Sequence, residues 1–145
     1  MKSLLQRVSR ASVTVKSDTV GEIAHGLLVF LGLDRDDDRA GADRMVERLL
    51  AYRVFADSEG RMNASVEDVH GGILLVSQFT LSADTSKGLR PAFSSAMPPH
   101  EAEQLYDYTL AQLRLRHSVV ASGVFGADMQ VSLVNDGPVT FLLSG

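Results

Sequence analysis

The chain has 145 residues, of which 45% are hydrophobic and 22% charged, and a formal net charge of −4. These values are typical of a globular domain and exclude a mainly disordered chain, while the absence of cysteine excludes a disulfide scaffold, a thiolate metal site and a cysteine nucleophile. We therefore expect a single domain over residues 1–145 and, because no apolar run reaches the ~20 residues of a membrane helix, a cytoplasmic protein without membrane contact.

The first third of the chain is predicted to be rich in β-strands. Residues Ala11 to Val15 alternate apolar with polar, as a half-buried strand does. Thr19 to Ile23 follows a turn at Ser17-Asp18 and is predicted to be the hairpin partner of this strand. The apolar run Leu27 to Leu31 ends at Gly32, which indicates a strand buried on both faces.

The acidic run from Asp34 to Asp38 indicates the N-terminus of a helix, because carboxylates accept the unpaired amide hydrogens there. The run does not fit a calcium loop, since its sixth position is Arg39 instead of glycine and its twelfth is Met45 instead of glutamate. We expect the helix to end near Arg53. Its apolar stripe is predicted to consist of Ala42, Met45, Val46, Leu49 and Leu50.

The remaining chain predicts strands around one long loop and a second helix. A short strand is expected at Val54-Phe55, a central strand at Ile73 to Val76, and a long surface loop from Ser82 to Pro99. The second helix starts at about Pro99 and buries Ala102, Leu105, Thr109 and Leu113. Three last strands are expected at Val119 to Ala121, Met129 to Val134 and Val139 to Leu143. The predicted fold class is α+β, with a mostly antiparallel, barrel-like sheet and two main helices.

Several familiar catalytic and binding motifs are missing from the sequence. The four histidines show no metal-ligand spacing, and neither a P-loop nor a dinucleotide-binding glycine motif occurs. The chain also lacks the G-x-S-x-G motif of α/β-hydrolases, and its aromatic residues, 6% of the total, are too scattered for an RNA-stacking platform. We therefore expect neither a metal nor a cofactor.

Two polar segments remain as candidate functional sites. Ser77, Gln78 and Thr80 directly follow the predicted central strand, where they either face a pocket or only complete the hydrogen bonds of a turn. The second segment, Asn135 to Thr140, contains Gly137-Pro138, which forms either a rigid corner that approaches a partner or an ordinary tight turn. Spacing alone leaves both alternatives open for each segment.

Together, the two segments resemble the signatures of the D-aminoacyl-tRNA deacylases. The Ser-Gln-Phe-Thr-Leu signature stands unbroken at Ser77 to Leu81, and the Asn-x-Gly-Pro-Val-Thr signature at Asn135 to Thr140. The resemblance covers nearly the whole chain and includes Leu5 to Val13, Ala83 to Pro91 and Phe125 to Met129. Because both signatures occur in this order in a chain of this length, the sequence is identified as a member of that family.

The resemblance implies a homodimeric enzyme that hydrolyses the ester between a D-amino acid, or glycine, and the terminal adenosine of tRNA. In that family the Gly-Pro corner of one subunit reaches into the pocket of the other, so that the active site lies at the subunit interface. Here the corner would be Gly137-Pro138 in the cis form, with its carbonyl oxygens facing the substrate. Asn135, the first residue of the same signature, would belong to this substrate-binding segment. An L side chain would need the same volume, so selectivity would follow from exclusion.

The resemblance also implies a catalytic segment of Ser77, Gln78, Phe79 and Thr80. Backbone amides near Phe79 and Thr80 are candidates to stabilise the oxyanion that develops on the ester. Thr80 is the one residue considered as a nucleophile, but the motif supplies no base to activate its hydroxyl. We therefore favour attack by water, assisted by the adenosine 2′-hydroxyl, with Thr80 in a positioning role.

The acidic net charge means that contact with the tRNA acceptor end requires local cations. The candidates are Arg7, Lys87 and Arg90, and the alternative is that they are ordinary solvated charges. Few phosphate contacts imply a shallow dependence of binding on salt. Two other functions remain open: a non-catalytic dimeric tRNA-binding module, and a binding domain for D-amino acids.

Overall fold

The computed structural model describes residues 1–145 and has an α+β fold, which confirms the predicted class. The two α-helices are α1, Arg39–Ala51, and α2, Pro99–Arg116, and a short 3₁₀ helix spans Phe79–Ser82. The strands are β1 Lys2–Val15, β2 Asp18–Ile23, β3 Gly26–Gly32, β4 Phe55–Ala56, β5 Met62–Ala64, β6 Gly72–Ser77, β7 Val120–Ser122 and β8 Gln130–Ser144.

The main sheet has six strands in the order β2-β1-β3-β6-β7, and β8 pairs with β1 along nearly its whole length. Strand β1 pairs antiparallel with β2, β3 and β8. The pairs β3-β6 and β6-β7 are parallel, so the sheet is mixed, although most of its pairs are antiparallel as predicted. The parallel pair brings Ser77, the last residue of β6, beside Leu31 at the end of β3.

Both helices pack on one face of this sheet. Leu27 and Val29 of β3 and Leu75 of β6 belong to the cluster that also holds the buried residues of α1 and α2. The alternate positions, Leu28 and Leu74, contribute to a smaller cluster on the opposite face. Strands β3 and β6 are therefore covered on both sides, as the unbroken apolar runs predicted.

The helix faces agree with the sequence pattern. All five residues of the predicted stripe on α1 are buried, and so are Ala102, Leu105, Thr109 and Leu113 on α2. The side chain of Asp38 accepts a hydrogen bond from the backbone N of Gly41 at 2.8 Å, which confirms the acidic cap. Neither helix combines the length and apolar content needed to cross a membrane.

Strand boundaries differ from the predictions at both ends of the chain. Strand β1 begins at Lys2 instead of Ala11, because its first half pairs with β3 on one edge and with β8 on the other. The two last predicted strands form one strand, β8, in which Asp136 to Val139 is an irregular segment opposite Arg7. Both differences arise because the neighbouring strand is long and keeps pairing on either side of the irregular residues, so that the strand is not interrupted there.

Candidate active site

The Ser77 to Thr80 segment lies where β6 leaves the sheet. Ser77 ends the strand, and Gln78 donates from its backbone N to the carbonyl oxygen of Leu31 on β3 at 2.8 Å. The 3₁₀ helix then begins, and the backbone N of Leu81 donates to the carbonyl oxygen of Gln78 at 3.2 Å. The N–H groups of Phe79 and Thr80 precede this bond and so lack a partner within the helix.

A cavity of about 780 Å³ opens beside this segment. Ser77, Gln78 and Phe79 line it, whereas Thr80 does not. The remaining lining residues are mainly apolar: Phe30, Arg35, Val76, Phe93, Ala96, Met97, Pro98, Pro99, Ala102, Phe125, Gly126, Ala127, Met129 and Val131. A concave, largely apolar site of this size with a few polar groups at one end is typical of small-molecule binding sites.

Aromatic rings form two walls of the cavity. Phe79 and Phe93 lie with ring centroids 5.1 Å apart, and Phe79 remains 61% exposed to solvent. Phe125 packs against Tyr106 of α2, with centroids 5.7 Å apart. The Tyr106 hydroxyl donates to the carbonyl oxygen of Leu75 at 2.9 Å, so α2 fixes one aromatic wall relative to β6.

The hydroxyl of Thr80 is exposed and accepts a hydrogen bond from Nε2 of Gln78. No histidine, aspartate or glutamate lines the cavity, and the side chain of Thr80 has no basic partner. An activated threonine nucleophile requires such a base within hydrogen-bond reach. The arrangement therefore favours placement and oxyanion stabilisation over nucleophilic attack by the protein.

The second segment forms a braced corner in β8. The Gly137-Pro138 peptide bond is cis, as the family resemblance implied, and both residues are exposed. Asn135 closes the base of the corner, because its Oδ1 accepts from the N of Val139 at 3.0 Å and its Nδ2 donates to Oγ1 of Thr140 at 2.9 Å. Gly137 has φ 145°, a conformation that L side chains rarely adopt.

Arg7 supports the same corner from β1. Its Nε donates to the carbonyl oxygen of Asp136 at 2.9 Å, and its Nη1 donates to the carbonyl oxygen of Val54 at 2.8 Å. The carboxylate of Asp136 lies 3.8 Å from Nε, and the arginine side chain is only 16% exposed. Two nitrogens of the guanidinium, Nε and Nη1, therefore donate to backbone carbonyl groups of the protein.

The corner does not line the cavity of its own chain. Val131 lines the cavity, and Gly137 lies six residues further along β8, a distance of up to about 20 Å at roughly 3.3 Å per residue. The structure of one chain therefore separates the two sequence motifs.

The remaining predicted RNA contacts lie in the loop that follows the 3₁₀ helix. Asp84 and Ala92 exchange two backbone hydrogen bonds, of 2.8 and 3.0 Å, which isolate a loop tip carrying Lys87 and Arg90. Both cations are exposed and take part in no hydrogen bond or ion pair. The hydrogen bonds from Ser86 to the Asp84 carboxylate, through its side chain and its backbone, hold the pKa of that group below its usual value.

Sequence reasoning missed Arg35, which is the one charged residue of the cavity lining. It stands inside the acidic run that precedes α1, so the local sequence pattern does not indicate that it lies at the cavity. The loop around Ser94 and Ser95 folds back over it: the backbone N of Arg35 donates to the carbonyl oxygen of Ser95 at 2.9 Å.

Comparison with known proteins decides the family. The model of the D-Tyr-tRNA(Tyr) deacylase family matches residues 4–144. The chain belongs to this family. A D-aminoacyl-tRNA deacylase of Cellvibrio japonicus (strain Ueda107) is 62% identical over 99% of the chain and 98% of that protein. Another, from Stutzerimonas stutzeri (strain A1501), is 61% identical over 99% of both chains. The family and the hydrolase class predicted from the two motifs are confirmed.

Two solved structures share the deacylase-family fold. One, described as c-Myc DNA Unwinding Element Binding Protein, has a TM-score of 0.96 and 43% identity, and the match covers 100% of this chain and 99% of that one. The other, described as a probable eukaryotic D-amino acid tRNA deacylase, has a TM-score of 0.83 at 21% identity, covering 98% and 97%. At that lower identity the second likeness concerns the fold alone.

Proposed function

We propose that the protein hydrolyses the ester of D-aminoacyl-tRNA, and of glycine mischarged on tRNA, in the cavity at the end of β6. The observation that carries the proposal is the position of the family signature: Ser77 to Phe79 form the polar end of an otherwise apolar, aromatic-lined cavity. The aromatic walls suit a nucleoside, and the polar end suits the ester attached to it. The chain acts as one domain over residues 1–145.

Hydrolysis uses water as the nucleophile. The unpaired N–H groups at Phe79 and Thr80 receive the developing oxyanion, a contribution of about 2.7–4 kcal/mol for each donor in comparable sites. The adenosine 2′-hydroxyl assists the water, since the cavity lining supplies no carboxylate or imidazole to act as a base. Thr80 and Gln78 position the segment through their mutual hydrogen bond.

The Gly137-Pro138 corner of a second copy completes each site. The corner is exposed and lies outside the cavity lining of its own chain, so it is free to enter a neighbouring one. Exposed apolar side chains on β8, Val134 and Leu142, support a homodimer in which this edge is covered. There the carbonyl oxygens of the corner accept hydrogen bonds from the substrate ammonium, and the corner occupies the volume of an L side chain.

Lys87 and Arg90 contact phosphates of the acceptor end from the loop tip. Their exposure and lack of protein partners support this role. For Arg7, the two carbonyl groups that it binds favour a different role from the phosphate contact expected from sequence: it holds the corner in place. The net charge of −4 argues against extended binding along nucleic acid.

Deacylation of D-Tyr-tRNA and L-Tyr-tRNA tests the proposal. We expect release of D-tyrosine with L-Tyr-tRNA left intact. The variant Ala127→Trp, which fills the cavity, should abolish release, while Ala111→Trp on the exposed face of α2 should retain it. Binding of tRNA without release of either amino acid would favour the non-catalytic module, and binding of free D-tyrosine without any effect on tRNA would favour a D-amino-acid-binding domain.

A further inference from the structure

Arg35 is the only cation at the cavity, and its terminal nitrogens are unused. Its Nε donates to the carbonyl oxygen of Ser94 at 3.1 Å, which fixes the plane of the guanidinium. Neither Nη1 nor Nη2 takes part in a hydrogen bond or ion pair. The side chain is exposed at the cavity lining. A guanidinium held in this way presents two parallel donors, which match a phosphate or carboxylate.

The acidic neighbours of Arg35 do not neutralise it. Asp34 and Asp37 both accept hydrogen bonds from the ammonium group of Met1, at 3.0 and 2.5 Å. Asp38 caps α1 through Gly41. None of these carboxylates lies within 4.0 Å of the Arg35 side chain, although they adjoin it in sequence. The charge of Arg35 is therefore available to a ligand.

We propose that Arg35 binds the phosphate on the 5′ side of the terminal adenosine, an inference that rests on the proposed function. Among the groups of the substrate that reach the cavity, the ester, ribose and base are neutral, and the aminoacyl ammonium is repelled by a guanidinium. The 5′-phosphate is the one anion and carries the geometry that the free Nη donors fit. Arg35 thus anchors the nucleotide through its phosphate at the cavity lining and favours a tRNA terminus over a free aminoacyl ester.

The test compares two small substrates that differ only in this phosphate: D-tyrosyl esters of adenosine and of adenosine 5′-monophosphate. We expect the wild-type protein to prefer the phosphorylated ester by about tenfold or more in KM, the range of a charge-assisted hydrogen bond. Arg35→Gln should remove this preference by raising KM for the phosphorylated ester to that of the unphosphorylated one. Arg44→Gln, which removes an exposed and unpaired arginine on α1, should keep the preference.

The inference is overturned if Arg35→Gln retains the phosphate preference, or if it lowers kcat for both esters equally, as a residue that only holds the Ser94 loop would do. Calorimetric titration with adenosine and adenosine 5′-monophosphate supplies the same comparison without hydrolysis. Preferential binding of the monophosphate that Arg35→Gln removes, without ester cleavage by the wild type, would support the inference and refute the proposed function. Cleavage without any phosphate preference would overturn the inference alone.

Discussion

Thr80 shows why the proposed catalytic segment, Ser77 to Thr80, would act through its backbone N–H groups and not through its side chains. The hydroxyl is exposed, lies outside the cavity lining and has only the amide of Gln78 as its partner. A threonine in this environment cannot lose its proton to a neighbouring group, whereas the N–H groups at the start of the 3₁₀ helix need no activation.

The variant Thr80→Ala therefore should keep most of the activity. We expect kcat for D-Tyr-tRNA to fall by less than about tenfold, the effect of losing one positioning hydrogen bond. Thr80→Ser serves as the control that retains the hydroxyl. Loss of a true nucleophile costs roughly 10⁴-fold or more in other hydrolases, so a fall of that size in Thr80→Ala, reversed in Thr80→Ser, would show that the hydroxyl takes part in the reaction.

In the proposed mechanism, Arg7 connects the stability of the fold to selectivity at the corner. Replacement by methionine retains much of the aliphatic stem but leaves the carbonyl oxygens of Val54 and Asp136 without their donor. We expect Arg7→Met to lower the free energy of unfolding by about 2 kcal/mol and to weaken the preference for D-Tyr-tRNA over L-Tyr-tRNA. Arg7→Lys, with a single ammonium for two carbonyls, should lie between the wild type and Arg7→Met.

Urea unfolding and paired deacylation assays measure the two effects of Arg7. A variant that loses stability and keeps its selectivity would show that the corner holds its position without this residue. If Arg7→Met binds tRNA more weakly and keeps its stability and its selectivity, Arg7 contacts a tRNA phosphate, as expected from the sequence.

At the level of elements, α2 and β6 are joined by Tyr106 behind the cavity wall. Burial raises the pKa of the Tyr106 phenol above its usual value of 10.0, since the ionised form would lie without solvent beside Leu75 and near Asp107. Because the folded state keeps this proton more firmly than the unfolded chain, the stability it contributes is present below about pH 10 and is lost as the pH rises further.

Replacing Tyr106 by phenylalanine should therefore change how stability depends on pH. We expect Tyr106→Phe to cost about 1 kcal/mol near pH 8 through the lost hydrogen bond. Between about pH 9.5 and pH 11, its urea midpoint should fall less than that of the wild type. Tyr52→Phe, at a half-buried position outside this contact, is the matched control. Equal slopes for Tyr106→Phe and the wild type would contradict the burial argument.

The same elements show that helix features could be predicted from the sequence, whereas the pairing of distant strands could not. Local spacing predicts the stripe on α1 residue by residue, and the acidic run before it predicts the helix N-terminus that Asp38 caps. The parallel pairing of β3 with β6 depends on contacts between distant segments, which apolar runs do not encode. The first half of β1, with Gln6 and Arg7 adjacent, lacks alternation and forms a strand because β3 and β8 flank it.

The candidate site was predictable only in part for the same reason. The motif around Ser77 could be located because it follows a buried strand and matches a family signature. Arg35 enters the cavity only through the return of the loop at Ser94 and Ser95, a contact between segments about 60 residues apart that no local pattern reports.

On the scale of the whole molecule, one chain holds a cavity and a corner that do not meet. The proposed dimer makes two equal sites, each with the cavity of one subunit and the corner of the other. This arrangement has a consequence that a site within one chain lacks: subunits with different defects can restore each other. In a dimer of one subunit with a defective cavity and one with a defective corner, one site combines both defects and the other site has neither.

Mixed dimers of Ala127→Trp and Gly137→Ala test this claim most directly. Ala127→Trp fills the cavity, and Gly137→Ala displaces the corner, because its Cβ would lie 2.6 Å from Cγ2 of Val139 at a φ of 145°. Each variant alone should lose deacylation of D-Tyr-tRNA, because a tryptophan blocks the cavity and a displaced corner no longer binds the substrate ammonium. After equal mixing and subunit exchange, we expect about a quarter of the wild-type deacylation of D-Tyr-tRNA to return, since half of the dimers then carry one intact site. A mixture as inactive as its two components would place cavity and corner in the same chain and contradict the account.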